Sequence, residues 1–145
     1  MRALVFSFLV AAAVAGQAAP VSMAVPGSTD AAGRKVLTFI AKDPPGVRCN
    51  GNLQVAAEIA NTYRVPIQLL PASLARGLPA PAVFYGGQLI VAEGKDFNGA
   101  ASFQIVADVL EIEGVARQEK AGLLLNPAVR RDFDGLKATI KQGGK

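Results

Sequence analysis

Apolar residues fall into short runs separated by proline, glycine and asparagine, and the spacing inside each run differs from one to the next. From Lys35 to Ala41, Val36, Leu37, Phe39 and Ile40 crowd together, which predicts a buried strand. Asp43 to Asn52 is punctuated by Pro44, Pro45, Gly46 and Gly51 and reads as a loop. Asn50-Gly51 carries a hairpin signal, but no alternating strand follows it. Leu53 to Arg64 predicts a helix: Leu53, Ala56, Ala57, Ala60 and Tyr63 share one face, and Val55 and Ile59 widen it, as packing on a sheet requires. Asn52 is the expected N-cap. Val65 precedes Pro66 and is steered out of helical angles, which ends the helix.

Ile67 to Leu70 predicts a second strand, and Pro71 to Pro79 a connector with one helical turn at Ser73 to Arg76. Ala82 to Tyr85 and Gln88 to Ala92 flank Gly86-Gly87 and predict an antiparallel hairpin. Lys95 to Gly99 reads as a polar turn. Ala100 to Glu113 predicts a helix with Phe103, Val106, Ala107 and Leu110 inward, flanked by Ile105, Val109 and Ile112, and Gly114 as its stop. Beyond it, Asn126 before Pro127 signals another helix start. Val129, Phe133, Leu136 and Ile140 then form an apolar stripe, with Arg130, Arg131, Lys137 and Lys141 on the other faces, the usual outer surface of a docked helix. The order strand, helix, strand, then strand, strand, helix predicts an α/β fold. It has a four-stranded mixed sheet, a right-handed parallel crossover in its first half, flanking helices and a C-terminal helix.

The beginning of the chain has a different character. Arg2 precedes the apolar stretch Leu4 to Val14, which has the length of an export-signal core and is too short to span a bilayer. Three small-x-small patterns follow, at Ala13-Val14-Ala15, Gly16-Gln17-Ala18 and Ser22-Met23-Ala24. The organisation expected is a signal peptide over 1–24, a flexible lead-in over 25–34, one domain over 35–114 and a helical extension over 115–145. The localisation expected is periplasmic or secreted, with no membrane association after cleavage.

Composition removes several functions. The 145 residues include no histidine, so Ser-His and Cys-His catalytic pairs and His-ligated metal sites are excluded. One cysteine cannot build a thiolate zinc site, and the eleven carboxylates show no calcium-loop spacing. Neither a metal nor a cofactor is expected. The net charge of +4 is mild, and tryptophan and aromatic-interleaved basic clusters are absent, which argues against nucleic acid.

The single cysteine, Cys49, lies in Gly46-Val47-Arg48-Cys49-Asn50-Gly51-Asn52, between the first predicted strand and the first predicted helix. Helix N-terminal N–H groups and the Arg48 charge favour a thiolate at such a junction, which predicts a partly exposed, functional thiol. The alternative is a small buried apolar residue. A thiol with no partner in its own chain reacts only with a second molecule. Asp43 is either a proton acceptor near the thiol or a solvated loop residue.

At this point the chain resembles the thioredoxin superfamily. Ala80-Pro81-Ala82-Val83-Phe84-Tyr85-Gly86-Gly87 is similar to the Pro-Ala-x-Phe-x-x-Gly segment of DsbA-like periplasmic oxidoreductases. The likeness covers about Lys35 to Gly114. It implies a cis proline at Pro81, with Pro79 as the rival position, and backbone before that proline left free to pair with an extended peptide. The family pattern is Cys-x-x-Cys, and here the second cysteine is missing. Read forward from Cys49 the fourth position is Asn52, and read backward the first is Gly46. The spacing to Tyr63 favours the family's second cysteine, while an N-cap at Asn52 places Cys49 nearer the exposed first one.

Two functional expectations follow. The first is an exported thiol protein in which Cys49 forms a mixed disulfide with a client protein or small thiol, with Arg48, Asn50, Ala80 and Pro81 around it. The second is a non-catalytic module on the same scaffold that binds an extended peptide or partner protein along the Pro81 edge. A disulfide-linked homodimer through Cys49 is a third arrangement of partners.

Overall fold

The computed structural model describes residues 22–94, 98–120 and 127–143. Residues 1–21 of the expected signal peptide over 1–24, most of the polar turn at Lys95 to Gly99 and the Asn126 cap lie outside the described residues. The element order is β1 (Leu37–Ala41), α1 (Val47–Thr62), β2 (Ile67–Pro71), β3 (Ala82–Tyr85), β4 (Gln88–Ala92), α2 (Phe103–Ile112) and α3 (Pro127–Gly143). The four strands form one mixed sheet in the order β2-β1-β3-β4. β1 pairs parallel to β2 and antiparallel to β3, and β3 pairs antiparallel to β4. This is the predicted α/β architecture, and it is compatible with a thioredoxin-like fold carrying a C-terminal helix.

β1 is buried because both faces of the sheet are covered. Alternate residues point to opposite faces, and the core divides accordingly. Leu37, Phe39, Val83 and Tyr85 pack with Val55 and Ile59 of α1, its C-cap Tyr63, and Val106 and Leu110 of α2. Ile40, Ala82 and Phe84 pack on the other face with Val25 and Ala75. Phe39 and Phe84 are no more than 2% exposed, and burying each such side chain contributes about 2 kcal/mol. Among the described residues no helix covers the second face; Met23, residues of the lead-in and the β2–β3 connector cover it instead. The Met23 N–H donates to Gly87 O at 2.9 Å, and the Val36 N–H donates to Ser28 O at 2.9 Å. The connector is a series of turns closed by Leu74, Ala75 and Leu78 N–H groups, in place of the expected helical turn.

The hairpin turn is as predicted. Gly86 and Gly87 have φ of 55° and 84°, the left-handed pair that a two-residue turn between twisted strands needs.

The first helix corrects the sequence reading. It begins at Val47, six residues before Leu53, so Asn50, Gly51 and Asn52 are helical and not loop. Gly46 is the N-cap, with no side-chain cap hydrogen bond. The buried face is therefore Cys49, Asn52, Val55, Ala56 and Ile59, while Ala60 is exposed. Local propensity disfavours this stretch, and a tertiary contact overrides it. Asn52, 3% exposed, donates from Nδ2 to Gly99 O at 2.9 Å and accepts at Oδ1 from the Ala101 N–H at 2.8 Å. That amide fixes the segment leading into α2, whose N-cap is Ser102, accepting from the Ile105 N–H at 3.2 Å.

α3 has no buried residue. It is held against α1 by Glu58, only 6% exposed, which pairs with Lys137 at 3.1 Å and Arg130 at 3.7 Å. Val129 and Leu136 of its apolar stripe stay 37% and 56% exposed.

Replacing Asn52 with Ala strands a buried carbonyl and a part-buried N–H. Asn52→Ala is expected to destabilise the protein by about 1–3 kcal/mol in denaturant unfolding. A loss within error of zero would mean that water replaces the amide at both partners.

Candidate functional site

The site lies where the C-terminal end of β1, the start of α1 and the start of β3 meet. Cys49 is the third residue of α1 and is 2% exposed. The expectation of a partly exposed thiol is corrected: starting the helix at Val47 turns residue 49 inward toward the sheet. The Sγ accepts the Lys42 N–H at 3.3 Å. Cys49 and Pro81 line one cavity of about 200 Å³, together with Lys42, Gly46, Val47 and Arg48. The Ala80–Pro81 bond is cis, at the position the sequence indicated, and Asp43–Pro44 is also cis.

Arg48 is exposed and its guanidinium reaches Glu93 Oε1 at 2.6 Å, not the thiol. Lys42 pairs with the same carboxylate. Hydrogen bonding from Lys42, followed by the charges of Lys42 and Arg48, holds Glu93 below the usual carboxylate range. Its backbone N–H donates to Pro81 O at 3.0 Å. Glu93 therefore joins the end of β4 to the proline, to β1 and to α1 at once. Asp43 is exposed and accepts from Ser73 Oγ at 3.2 Å, so it faces the connector and not the thiol. Asn50 is half-buried in the first turn of α1, where its N–H donates to Gly46 O at 3.0 Å.

Ala80 is half-buried beside the proline. In the β1–β3 register Ile40 faces Ala82, so Lys42 would face Ala80 at the next matching position. The ladder stops before that pair. The Lys42 N–H goes to Cys49, and the N–H and C=O of Ala80 make no hydrogen bond among the described residues.

The structure brings together Cys49, Arg48, Pro81 and Ala80, with Asn50 at the edge. Sequence reasoning weighed Gly46 as the first position of the motif but missed Lys42, Glu93 and Gly99. Gly99 has φ of 74°, and a Cβ there would stand 2.7 Å from Pro81 Cγ and O and 2.8 Å from Glu93 N. Glu93 was legible in principle, because it follows β4 and the hairpin register returns that end to Pro81. Among the described residues no acid, cysteine and histidine cluster fits a metal ion. No helix among them is long and apolar enough to cross a membrane.

No protein family, curated protein or solved structure compared with this chain matches it.

The depressed Glu93 acidity gives a pH test. A carboxylate whose folded pKa is lowered contributes stability above its unfolded pKa of about 4.3, lost as pH falls through the folded value. Glu93→Gln should therefore melt below the wild type near neutral pH, with the difference disappearing as pH falls below the folded value. A difference independent of pH would mean that the carboxylate's charge is not what holds these elements.

Proposed function

We propose that this protein is an exported, non-catalytic thioredoxin-like module that binds an extended peptide segment of a partner protein beside Pro81. The observation that carries this reading is the open backbone of Ala80, presented at the end of a sheet ladder next to a small cavity. Main-chain pairing with an extended peptide uses such free N–H and C=O groups. The cavity of about 200 Å³ beside it has room for one side chain of that peptide. Export is inferred from the Arg2 and Leu4 to Val14 pattern.

The helix start supports a binding role over a redox one. Gly46, at the N-cap, stands where the first cysteine of a Cys-x-x-Cys pattern would be, and Cys49 stands in the second, buried position. Attack on a disulfide needs an accessible thiolate. The single-cysteine thiol reading keeps one favourable observation: the sulfur lines the same cavity and accepts an N–H.

Two measurements decide between them. Peptides selected from a displayed library should shift the amide resonances of Ala80 and Lys42, and Cys49→Ser should leave their affinity within about twofold. Loss of capture in Cys49→Ser, together with a mixed disulfide seen by intact mass, would overturn the binding reading in favour of the thiol one.

The register of the degenerate motif has its own test. A Cβ at residue 46 meets no atom within 4 Å, and positions three apart in the first helical turn lie within reach of a disulfide. Gly46→Cys is expected to fold and, under mild oxidant, to lose two hydrogens by intact mass without dimerising. Two persistently free thiols would show that residues 46 and 49 are not arranged as such a pair.

A further inference from the structure

We propose that a second site, the cavity between α1, the segment leading into α2, and α3, binds an N-acylated apolar amino acid through its carboxylate, amide and side chain together. This cavity measures about 300 Å³. Three features define what fits it, and of the residues they use only Arg48 also borders the Pro81 cavity.

The first is an unsatisfied amide. Gln54, which lines the cavity, is 8% exposed, and both its Nε2 and Oε1 are shut off from solvent without a hydrogen-bond partner. Native interiors seldom leave such groups unpaired. Asn52, two residues earlier, is also buried and both donates and accepts through its amide. Gln54 requires a partner that donates and accepts at once, and a secondary amide does both.

The second is charge. The lining contains Arg48, Lys137 and Lys141 and no carboxylate. Arg48 and Lys137 are paired with Glu93 and Glu58, whereas Lys141 makes no ion pair among the described residues. The N-terminus of α2 opens on the same space; Ser102 takes the Ile105 N–H, and the helix dipole favours an anion. A carboxylate is the anion that an acylated amino acid carries.

The third is an apolar lining, to which Phe103 of α2 and Ile140 of α3 contribute. It suits a branched aliphatic side chain. α3 covers the site, and the ion pairs of Glu58, with no buried residue of α3 itself, hold it there. The proposed ligand reaches the closed-off amide of Gln54 only as α3 shifts, which the lack of buried α3 side chains permits.

The probe is N-acetyl-leucine, titrated into the purified protein by calorimetry, with N-acetyl-leucinamide as the uncharged control. Saturable binding is expected, weaker for the control by about fivefold or more. Gln54→Leu should weaken binding by about tenfold while melting at or above the wild-type temperature, because it removes an orphaned amide. Gly51→Leu provides a variant independent of that residue. Gly51 lines the cavity, a Cβ there meets no atom within 4 Å, and leucine favours the helix. It should fold and abolish binding by filling the space. Absence of saturation by wild type up to about 10 mM, or wild-type affinity retained in both variants, would overturn the proposal. A pentapeptide ending in leucine separates the two sources of this chemistry. Tighter binding than the probe assigns the site to a polypeptide C-terminus, and weaker binding assigns it to a free acylated amino acid.

Discussion

The side-chain amide of Asn52 is the constraint on which the arrangement of this protein depends. It lies in a helix, where asparagine is a poor choice, and it is buried, where an unpaired amide is costly. Both disadvantages are offset by two hydrogen bonds to Gly99 O and the Ala101 N–H. These bonds bring the segment before α2 to the side of α1. Gly99 then presses against Pro81 so closely that no side chain fits between them. The proline, the first helix and the start of the second helix are thus positioned by one polar contact, and the apolar core fills in around it.

Charge does for the periphery what this amide does for the interior. Two carboxylates each collect two cations from another part of the chain. Glu93 gathers Lys42 and Arg48 at the top of the sheet, and Glu58 gathers Arg130 and Lys137 from α3. The two differ in burial, and the difference matters. Glu93 is partly exposed, so solvent screens its pairs and its effect is on local order. Glu58 is 6% exposed, so removing its cations would leave a buried charge without compensation. α3 contributes no buried side chain of its own. Its position therefore follows from the requirement that Glu58 be neutralised more than from its apolar stripe.

The sheet was legible in the sequence because its signals are local. Val36 to Ile40 and Ala82 to Tyr85 are short apolar runs bounded by breakers, and Gly86-Gly87 fixes the hairpin without reference to the rest of the chain. The start of α1 was not legible. Pro44, Pro45, Gly46, Asn50 and Gly51 all read as loop, and the contact that makes the segment helical joins residue 52 to residues 99 and 101. A pattern within a window cannot report a partner so far along the chain. The same error displaced the buried face of the helix and placed Cys49 outside it. The proline was read correctly because its segment carried a recognisable sequence, whereas Glu93 and Lys42 became site residues only through the register of the hairpin.

The buried cysteine has a structural part that does not depend on redox chemistry. In the antiparallel β1–β3 pair, the Lys42 N–H is the donor the next ladder position would use. It bonds to the Cys49 sulfur, and the ladder ends before Ala80. Sulfur is a weak acceptor, yet the helix start sets it directly before that N–H. Diverting one donor leaves the backbone of Ala80 open beside the proline. The sulfur in this position is accounted for by that hydrogen bond, with no reactive thiol required.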